Sequence, residues 1–179
     1  MPPKNNLLVL SALGNDRPGI VDRLTKVIFD HDCNIVDSRM TVLGGEFAIL
    51  MLVEGNWNTL AKLENCLPDL QNSLGLTVIS RRTEERQTGQ PVMPYLVEVV
   101  CLDHPGIVHH LANFFSQRNI NIEDLITTSY PAAHTGSQMF SVHITIGVPG
   151  DVHIATLRDE FMDFCDSLNL DGVLEPIKR

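Results

Sequence analysis

Two short segments carry residues suited to holding a small anion. Residues 16–20 read Asp-Arg-Pro-Gly-Ile, and residues 103–107 read Asp-His-Pro-Gly-Ile. A helix that begins after such a proline–glycine pair presents free backbone N–H groups and the positive end of its dipole, which suit a carboxylate. The same residues also suit an ordinary helix start, in which the acid caps the first amides and glycine permits the turn. Both interpretations of Asp16 and Asp103 stay open from the sequence.

Two asparagines, Asn34 and Asn121, enter the strand that follows each of these helices. We expect them to lie beside the loops, where an amide side chain offers a ligand both a donor and an acceptor. They are equally suited to satisfying local turn amides. The sequence does not decide between these two roles.

Other residue types that carry chemistry lack the spacing that chemistry needs. His104, His109 and His110 surround one expected helix start, but no acidic or sulfur ligand completes a metal-binding pattern. The sequence contains no nucleophile elbow, phosphate loop or dinucleotide fingerprint. It therefore predicts no catalytic residue, no metal site and no cofactor. We expect the cysteines, which show no zinc or redox spacing, to be small buried apolar residues: Cys33, Cys66, Cys101 and Cys165.

An internal repeat organises the elements that position the two loops. The motif Asp-x-Pro-Gly-Ile-Val at residue 16 returns 87 positions later, at residue 103. At the same displacement Leu24 matches Leu111, and Asp37 matches Asp124. The second copy carries a turn-rich insertion at residues 131–136, beyond which Phe140 matches Phe47. This self-similarity indicates one duplicated unit.

Within each copy the hydrophobic period changes in the order strand, helix, strand, strand, helix, strand. Apolar runs at 7–13 and 95–102 predict buried first strands, and Gly44-Gly45 predicts a tight hairpin between the middle strands of the first copy. The expected core face of the first helix in each copy is Ile20, Leu24, Val27 and Ile28, then Ile107, Leu111, Phe114 and Phe115. That of the second helix is Leu60, Leu63, Leu67, Leu70 and Leu74, then Ile154, Leu157, Phe161, Phe164 and Leu168.

This order predicts an α+β fold made of two ferredoxin-like βαββαβ domains, each a four-stranded antiparallel sheet with two helices on one face. We place the first domain at residues 1–83, a linker at 84–94 and the second domain at 95–179. Pro68 lies inside the second helix of the first copy, so we expect that helix to be kinked or broken near Leu67.

The charge of the chain restricts its partners. A formal net charge of −9 and a pI near 5.1 argue against direct contact with nucleic acid, because phosphate binding needs clustered Lys and Arg.

The apolar run at residues 7–13 is far shorter than the ~20 residues that a membrane span requires. We therefore expect a cytoplasmic protein with no membrane partner.

The duplicated unit and its Asp-x-Pro-Gly-Ile loops resemble the ACT domain family over nearly the entire chain. The resemblance implies amino-acid sensing at sites formed where two ACT units meet, between the first loop of one and the facing strand of another. It further implies glycine or a related amino acid as the ligand, a LysR-type transcriptional activator or other regulatory protein as partner, and a possible homodimer. The ligand-binding residues it implies are Asp16, Gly19, Ile20, Asn34, Asp103, Gly106, Ile107 and Asn121.

Two alternatives remain open at this point. In the first, the units have lost ligand binding and serve only as pairing surfaces, since exposed sheet edges invite association. In the second, the chain regulates a one-carbon or amino-acid enzyme, because the loop motif also occurs in the amino-terminal module of formyltetrahydrofolate deformylase. The copies differ at Arg17 against His104 and at the insertion, so we do not expect two equal sites.

Overall fold

The structure, a computed structural model, describes residues 6–85 and 91–177. Contacts between residues divide the chain into two compact units, residues 1–86 and 87–179. Each unit has its own apolar core.

The first unit is a four-stranded antiparallel sheet in the order β2-β3-β1-β4, with two helices. Its elements are β1 (Asn6–Asn15), α1 (Ile20–Asp30), β2 (Asn34–Leu43), β3 (Glu46–Gly55), α2 (Trp57–Leu74) and β4 (Thr77–Thr83).

The second unit repeats this topology in the order β6-β7-β5-β8. Its elements are β5 (Val92–Leu102), α3 (Ile107–Ser116), β6 (Asn121–Pro131), β7 (Gln138–Pro149), α4 (Ile154–Ser167) and β8 (Asp171–Pro176). The expected α+β fold of two ferredoxin-like βαββαβ units is confirmed.

One face of each sheet packs against its helices. Alternate strand residues such as Leu8, Leu10 and Phe47 are buried there, because successive side chains of a strand point to opposite faces. The first helices bury the face that the sequence indicates, apart from Val27, which is half-buried. In α4 the buried residues are Leu157, Phe161 and Cys165, whereas Ile154, Phe164 and Leu168 are only partly buried.

The expected break at Pro68 is wrong, because α2 runs without interruption from Trp57 to Leu74. A proline inside a helix removes one main-chain hydrogen bond and costs about 3 kcal/mol. Burial of a leucine contributes about 1.5–3 kcal/mol. The packing of the α2 face therefore outweighs the proline; its buried residues are Leu60, Leu63, Leu67, Leu70 and Leu74.

The cysteines divide into two kinds. Cys101 and Cys165 are buried, as expected, whereas Cys33 and Cys66 are only half-buried. Burial, followed by the nearby charges of Asp166 and Asp171, raises the pKa of Cys165 to about 11. This thiol therefore stays protonated at neutral pH and is a poor nucleophile.

The connections follow the two copies' different turn residues. Gly44, with φ of 63°, and Gly45 join β2 to β3 as the expected tight hairpin, in which Leu43 pairs with Glu46. Between β6 and β7 the insertion forms a longer loop, in which the Ala132 amide donates to the Ser137 carbonyl at 2.8 Å.

The join between the units differs in detail from the expected linker. β4 ends at Thr83, and β5 begins at Val92, which lies within the segment 84–94 assigned to the linker. Residues 86–90 of that segment lie outside the described residues. The domain boundaries 1–83 and 95–179 stay a prediction.

Candidate ligand-binding site

Both motif loops end in a glycine with a left-handed backbone. Gly19 has φ of 89° and precedes α1, and Gly106 has φ of 99° and precedes α3. The first helical bonds run from the Arg23 amide to the Gly19 carbonyl at 3.1 Å and from the His110 amide to the Gly106 carbonyl at 2.9 Å. Neither helix has a side-chain cap. The first-turn N–H groups are therefore the open donors that an anion can use.

The two aspartates do not cap their helices, so the capping interpretation of Asp16 and Asp103 is wrong. Their main-chain amides hold the loops instead. The Asp16 amide donates to the Gly45 carbonyl at 3.0 Å, and the Asp103 amide donates to the Gln138 carbonyl at 2.9 Å. Both aspartates are exposed beside the start of a helix.

The carboxylate of Asp103 is fixed by a neighbour that Asp16 lacks. Ser129 of β6 donates from Oγ to Oδ2 of Asp103 at 2.8 Å. The matching residue of β2, by the displacement of 87 positions, is Val42, which has no hydroxyl. The acid of the second loop is thus oriented by a side chain, and the acid of the first is not oriented in this way.

The residue after each aspartate also differs. The guanidinium of Arg17 donates to the carbonyl of Leu74, the last residue of α2, where a cation also meets the negative end of the helix dipole. His104 makes a local contact, with Nδ1 3.1 Å from the Pro105 carbonyl. The first loop is therefore tied to a helix end, and the second is held by Asp103 and Ser129.

The first turns of the two helices differ in charge. α1 carries Asp22 in its first turn, whereas α3 has no acidic residue there. The ring of His110 lies over Gly106, 3.4 Å from the place where a β-carbon would stand. A carboxylate approaching α3 therefore meets no repelling charge in that turn.

The two isoleucines contribute main chain rather than side chain. Ile20 and Ile107 are each only 2 % exposed and pack in the cores of their units. Their side chains anchor the helix starts, so only their amides are open to a ligand. Their role as ligand contacts, which the family resemblance implies, stays a prediction.

The asparagines do not lie beside the loops of their own unit, and that expectation is wrong. Asn34 pairs with Glu54, whereas the Asp16 amide bonds Gly45 at the other end of β3. At about 3.3 Å per residue the two ends of this strand are roughly 30 Å apart. The reason is that α1 returns along the sheet before β2 begins. Asn121, opposite Gly147, is displaced from Asp103 in the same way.

Metal-binding geometry is absent from the described parts of the chain, where no three His, Cys, Asp or Glu side chains converge. The rings of His109 and His110 lie 5.6 Å apart at an angle of 53°. None of the helices within residues 6–85 and 91–177 has the length and apolar character to cross a membrane.

A shallow pocket of about 220 Å³ lies on the first sheet, away from the motif loops. Sequence reasoning did not anticipate it. The Arg39 guanidinium and the Asp37 carboxylate at its rim pair with each other at 2.5 Å, and both are largely exposed. Its lining residues are Val9, Asp37, Ser38, Arg39, Leu50, Met51 and Leu52.

Comparison with known proteins agrees with this architecture. Sequence profiles described as ACT domain match residues 6–80 and residues 95–161. The glycine cleavage system transcriptional repressor of Escherichia coli K12 is 33 % identical over 172 residues, covering 95 % of this chain and 90 % of that protein. A UPF0237 protein of Methanococcus maripaludis is 43 % identical over 47 residues, 26 % of this chain and 52 % of that protein.

Solved structures give the same result. A crystal structure assigned as a glycine cleavage system transcriptional repressor is 29 % identical, with a TM-score of 0.72 over 98 % of this chain and 99 % of that one. A protein of unknown function from Galdieria sulphuraria shares the fold, with a TM-score of 0.80, 24 % identity and coverage of 97 % and 99 %. Each of the two βαββαβ units carries a loop with a left-handed glycine. Together with these matches, this feature places the chain in the ACT domain family, as a two-domain member.

Proposed function

We propose that this chain is an amino-acid-sensing regulator of transcription that acts through ligand binding at its motif loops, with no catalysis there, and that glycine or a close relative is its ligand. The observation that carries the proposal is the pair of uncapped helix starts that follow Gly19 and Gly106. The identity with the E. coli repressor supports glycine as the first ligand to test.

The loops offer complementary groups to a zwitterion. The amides at the start of α1 or α3 would donate hydrogen bonds to the ligand's carboxylate, and the exposed carboxylate of the same loop would accept hydrogen bonds from its ammonium group. A left-handed glycine has no side chain to keep a small ligand away from the main chain. The residues that we propose for the two loop sites are Asp16, Gly19, Ile20, Asn34, Asp103, Gly106, Ile107 and Asn121.

The second loop should bind more tightly than the first. Ser129 orients the Asp103 carboxylate, and α3 has no acid in its first turn. In the first unit Asp22 stands close to the amides that a carboxylate would use. A preorganised acceptor and the absence of like charge both favour binding at the second loop.

Asn34 and Asn121 would complete a site only when another ACT unit supplies them. Each lies at the far end of its own sheet from the loop of its own unit. We therefore retain them as ligand contacts only for paired ACT units, in line with the family resemblance. A homodimer would provide such a pairing.

Control of transcription would pass through a second protein in the cytoplasm. The net charge of −9 disfavours direct contact with DNA phosphates, so a LysR-type activator is the partner that we propose. Ligand binding would change the affinity for that partner, with the two effects reciprocally coupled.

Isothermal titration calorimetry of the full chain against glycine, alanine, serine and leucine tests the sensing proposal. We expect heat with glycine or another small amino acid, and loss of its tighter component in Asp103→Ala, which leaves the first loop intact. Asp151→Ala removes an exposed acid from a turn outside both motif loops and should leave binding unchanged. Silence across the panel would contradict sensing and favour the pairing scaffold.

A further inference from the structure

Three polar side chains form a hydrogen-bonded row on the second sheet, apart from the motif loops. Oγ of Ser141 lies 3.2 Å from Nε2 of His143, and Nδ1 of His143 lies 3.1 Å from Oε1 of Glu98. The side chains of His143 and Glu98 are 48 % and 50 % exposed, so a small molecule in solution can reach them.

Sheet geometry holds the row in place. Ser141 and His143 are two residues apart on β7 and so share a face, while Val142 between them is buried against the helices. Glu98 of β5 is directly opposite His143 in the strand register. The row therefore lies on the sheet face that carries no helix, and it needs no loop to position it.

The order of these contacts is the one that activates a serine. If Nδ1–H donates to the Glu98 carboxylate, the lone pair on Nε2 of His143 faces the Ser141 hydroxyl. A nucleophile, a base within hydrogen-bond reach and an acid that orients the base are the three parts of such a site.

The first unit provides an internal comparison. The residues that match Glu98, Ser141 and His143 in the repeat are Ser11, Ala48 and Leu50, and Ser11 pairs with Leu50 as Glu98 pairs with His143. None of those three can act as a base. The row is thus a property of the second unit alone and is not required by the fold.

We propose that Ser141 is a nucleophile, activated by His143, that accepts the acyl group of an activated short-chain ester. Oγ bonds to the carbonyl carbon while the bond to the leaving alcohol breaks. The hydroxyl proton moves to Nε2 of His143 and then to the leaving oxygen. Water releases the acyl group as a carboxylic acid, so ester and water give acid and alcohol. Glu98 is a positioning residue.

The surroundings define the substrate class. Val100 is opposite Ser141 on β5, and Ile126 is opposite His143 on β6, which places short apolar side chains on both sides of the row. They suit an acyl group of a few carbons. Thr128 is opposite Ser141 on β6 and brings a second hydroxyl to this face.

The rate should be low. β7 pairs with β5 on one side and β6 on the other, so its main-chain amides are used within the sheet rather than aimed at a developing oxyanion. Such amide donors account for much of the rate of efficient acyl-transfer enzymes. We therefore expect reaction with esters of good leaving groups and not with amides.

Treatment of the full chain with p-nitrophenyl acetate, followed by peptide mass spectrometry, tests the proposal. We expect release of nitrophenol with acetylation at Ser141, lost in Ser141→Ala and slowed on the order of 100-fold in His143→Gln. Thr145→Val, on the same strand and the same face, is the matched control and should react like the natural chain. Acetylation elsewhere, or none above that of the unfolded chain, overturns the proposal.

Glu98→Gln should slow acetylation by about tenfold while the midpoint of thermal unfolding stays unchanged. Glu98→Asp, which keeps the carboxylate, should restore part of the rate. Imidazole ¹⁵N resonances should report an Nδ1–H tautomer of His143 that is lost in Glu98→Gln. An unchanged acetylation rate and an unchanged His143 tautomer in Glu98→Gln would show that Glu98 has no positioning role and would contradict the proposed mechanism. Glycine binding, measured by calorimetry, should be unchanged in all these variants.

Discussion

Ser129 donates a hydrogen bond of 2.8 Å to the carboxylate of Asp103, whereas Val42 occupies its place in the first unit. The same loop motif thus stands in two different settings within one chain. In the second unit the acid is oriented by a strand residue, and in the first the loop is tied to α2 through Arg17. This difference leads us to expect unequal binding by the two loops.

Replacement of Ser129 by Val should weaken glycine binding at the second loop about fivefold. The expected loss is about 1 kcal/mol, the value of a typical hydrogen bond in a partly exposed setting. Calorimetry on the full chain measures it. The converse variant, Val42→Ser, offers the first loop the same donor and should strengthen binding there. Equal affinities in the natural chain and in Ser129→Val would contradict the orienting role.

Replacement of Gly106 by Ala should destabilise the second unit by about 1–2 kcal/mol. The left-handed φ of 99° is costly for any residue with a β-carbon. Urea denaturation monitored by circular dichroism checks this value. Gly45→Ala is the matched control, because this glycine has no neighbour within 4 Å of a new β-carbon and no positive φ. Equal stability losses at both glycines would show that backbone strain is not the cause.

Replacement of Pro68 by Ala should stabilise the first unit. The new amide can donate to the Glu64 carbonyl, one turn earlier in α2, and the position is exposed, so no core contact is lost. Removal of the interior proline should raise the free energy of unfolding by about 3 kcal/mol. The greater freedom of the unfolded chain offsets up to about 1 kcal/mol of this increase. A midpoint of thermal unfolding that falls in Pro68→Ala would contradict this account of α2.

Cys165 should resist alkylation in the folded protein. Its pKa of about 11 leaves almost no thiolate at neutral pH, and burial keeps the reagent away. Iodoacetamide at pH 7 should label it only after unfolding, as mass spectrometry of its peptide would report. Because the pKa of Cys165 is raised, the thiol in the folded state keeps its proton to a higher pH than it does in the unfolded chain. Rapid labelling of Cys165 without unfolding would show that the α4 core opens readily.

Local sequence patterns determined the fold but not the spatial relation of the site residues. The repeat of Asp-x-Pro-Gly-Ile-Val and the change of period from strand to helix predicted both units. The same reasoning placed Asn34 beside the Asp16 loop, because the two are close in sequence. The missing step was that α1 returns along the sheet and moves Asn34 to its opposite end.

Two further differences had other physical causes. Helix propensity favoured a break at Pro68, but the buried leucine face of α2 outweighed a local cost. The row on the second sheet was missed because Glu98 is distant in sequence from Ser141 and His143. The alternation of Ser141 and His143 placed them on one face, whereas the partner strand and its register are set by tertiary structure.

Assignment of the amide resonances of the full chain, followed by titration with glycine, tests the central claim most directly. We expect the amides of Ile107 and Val108, at the start of α3, to shift first, and those of Ile20 and Val21 to shift at higher glycine concentration. Loss of the shifts at Ile107 and Val108 in Asp103→Ala would locate the ligand at the start of α3. Shifts confined to residues outside both helix starts, or no shifts with any small amino acid, would contradict the account.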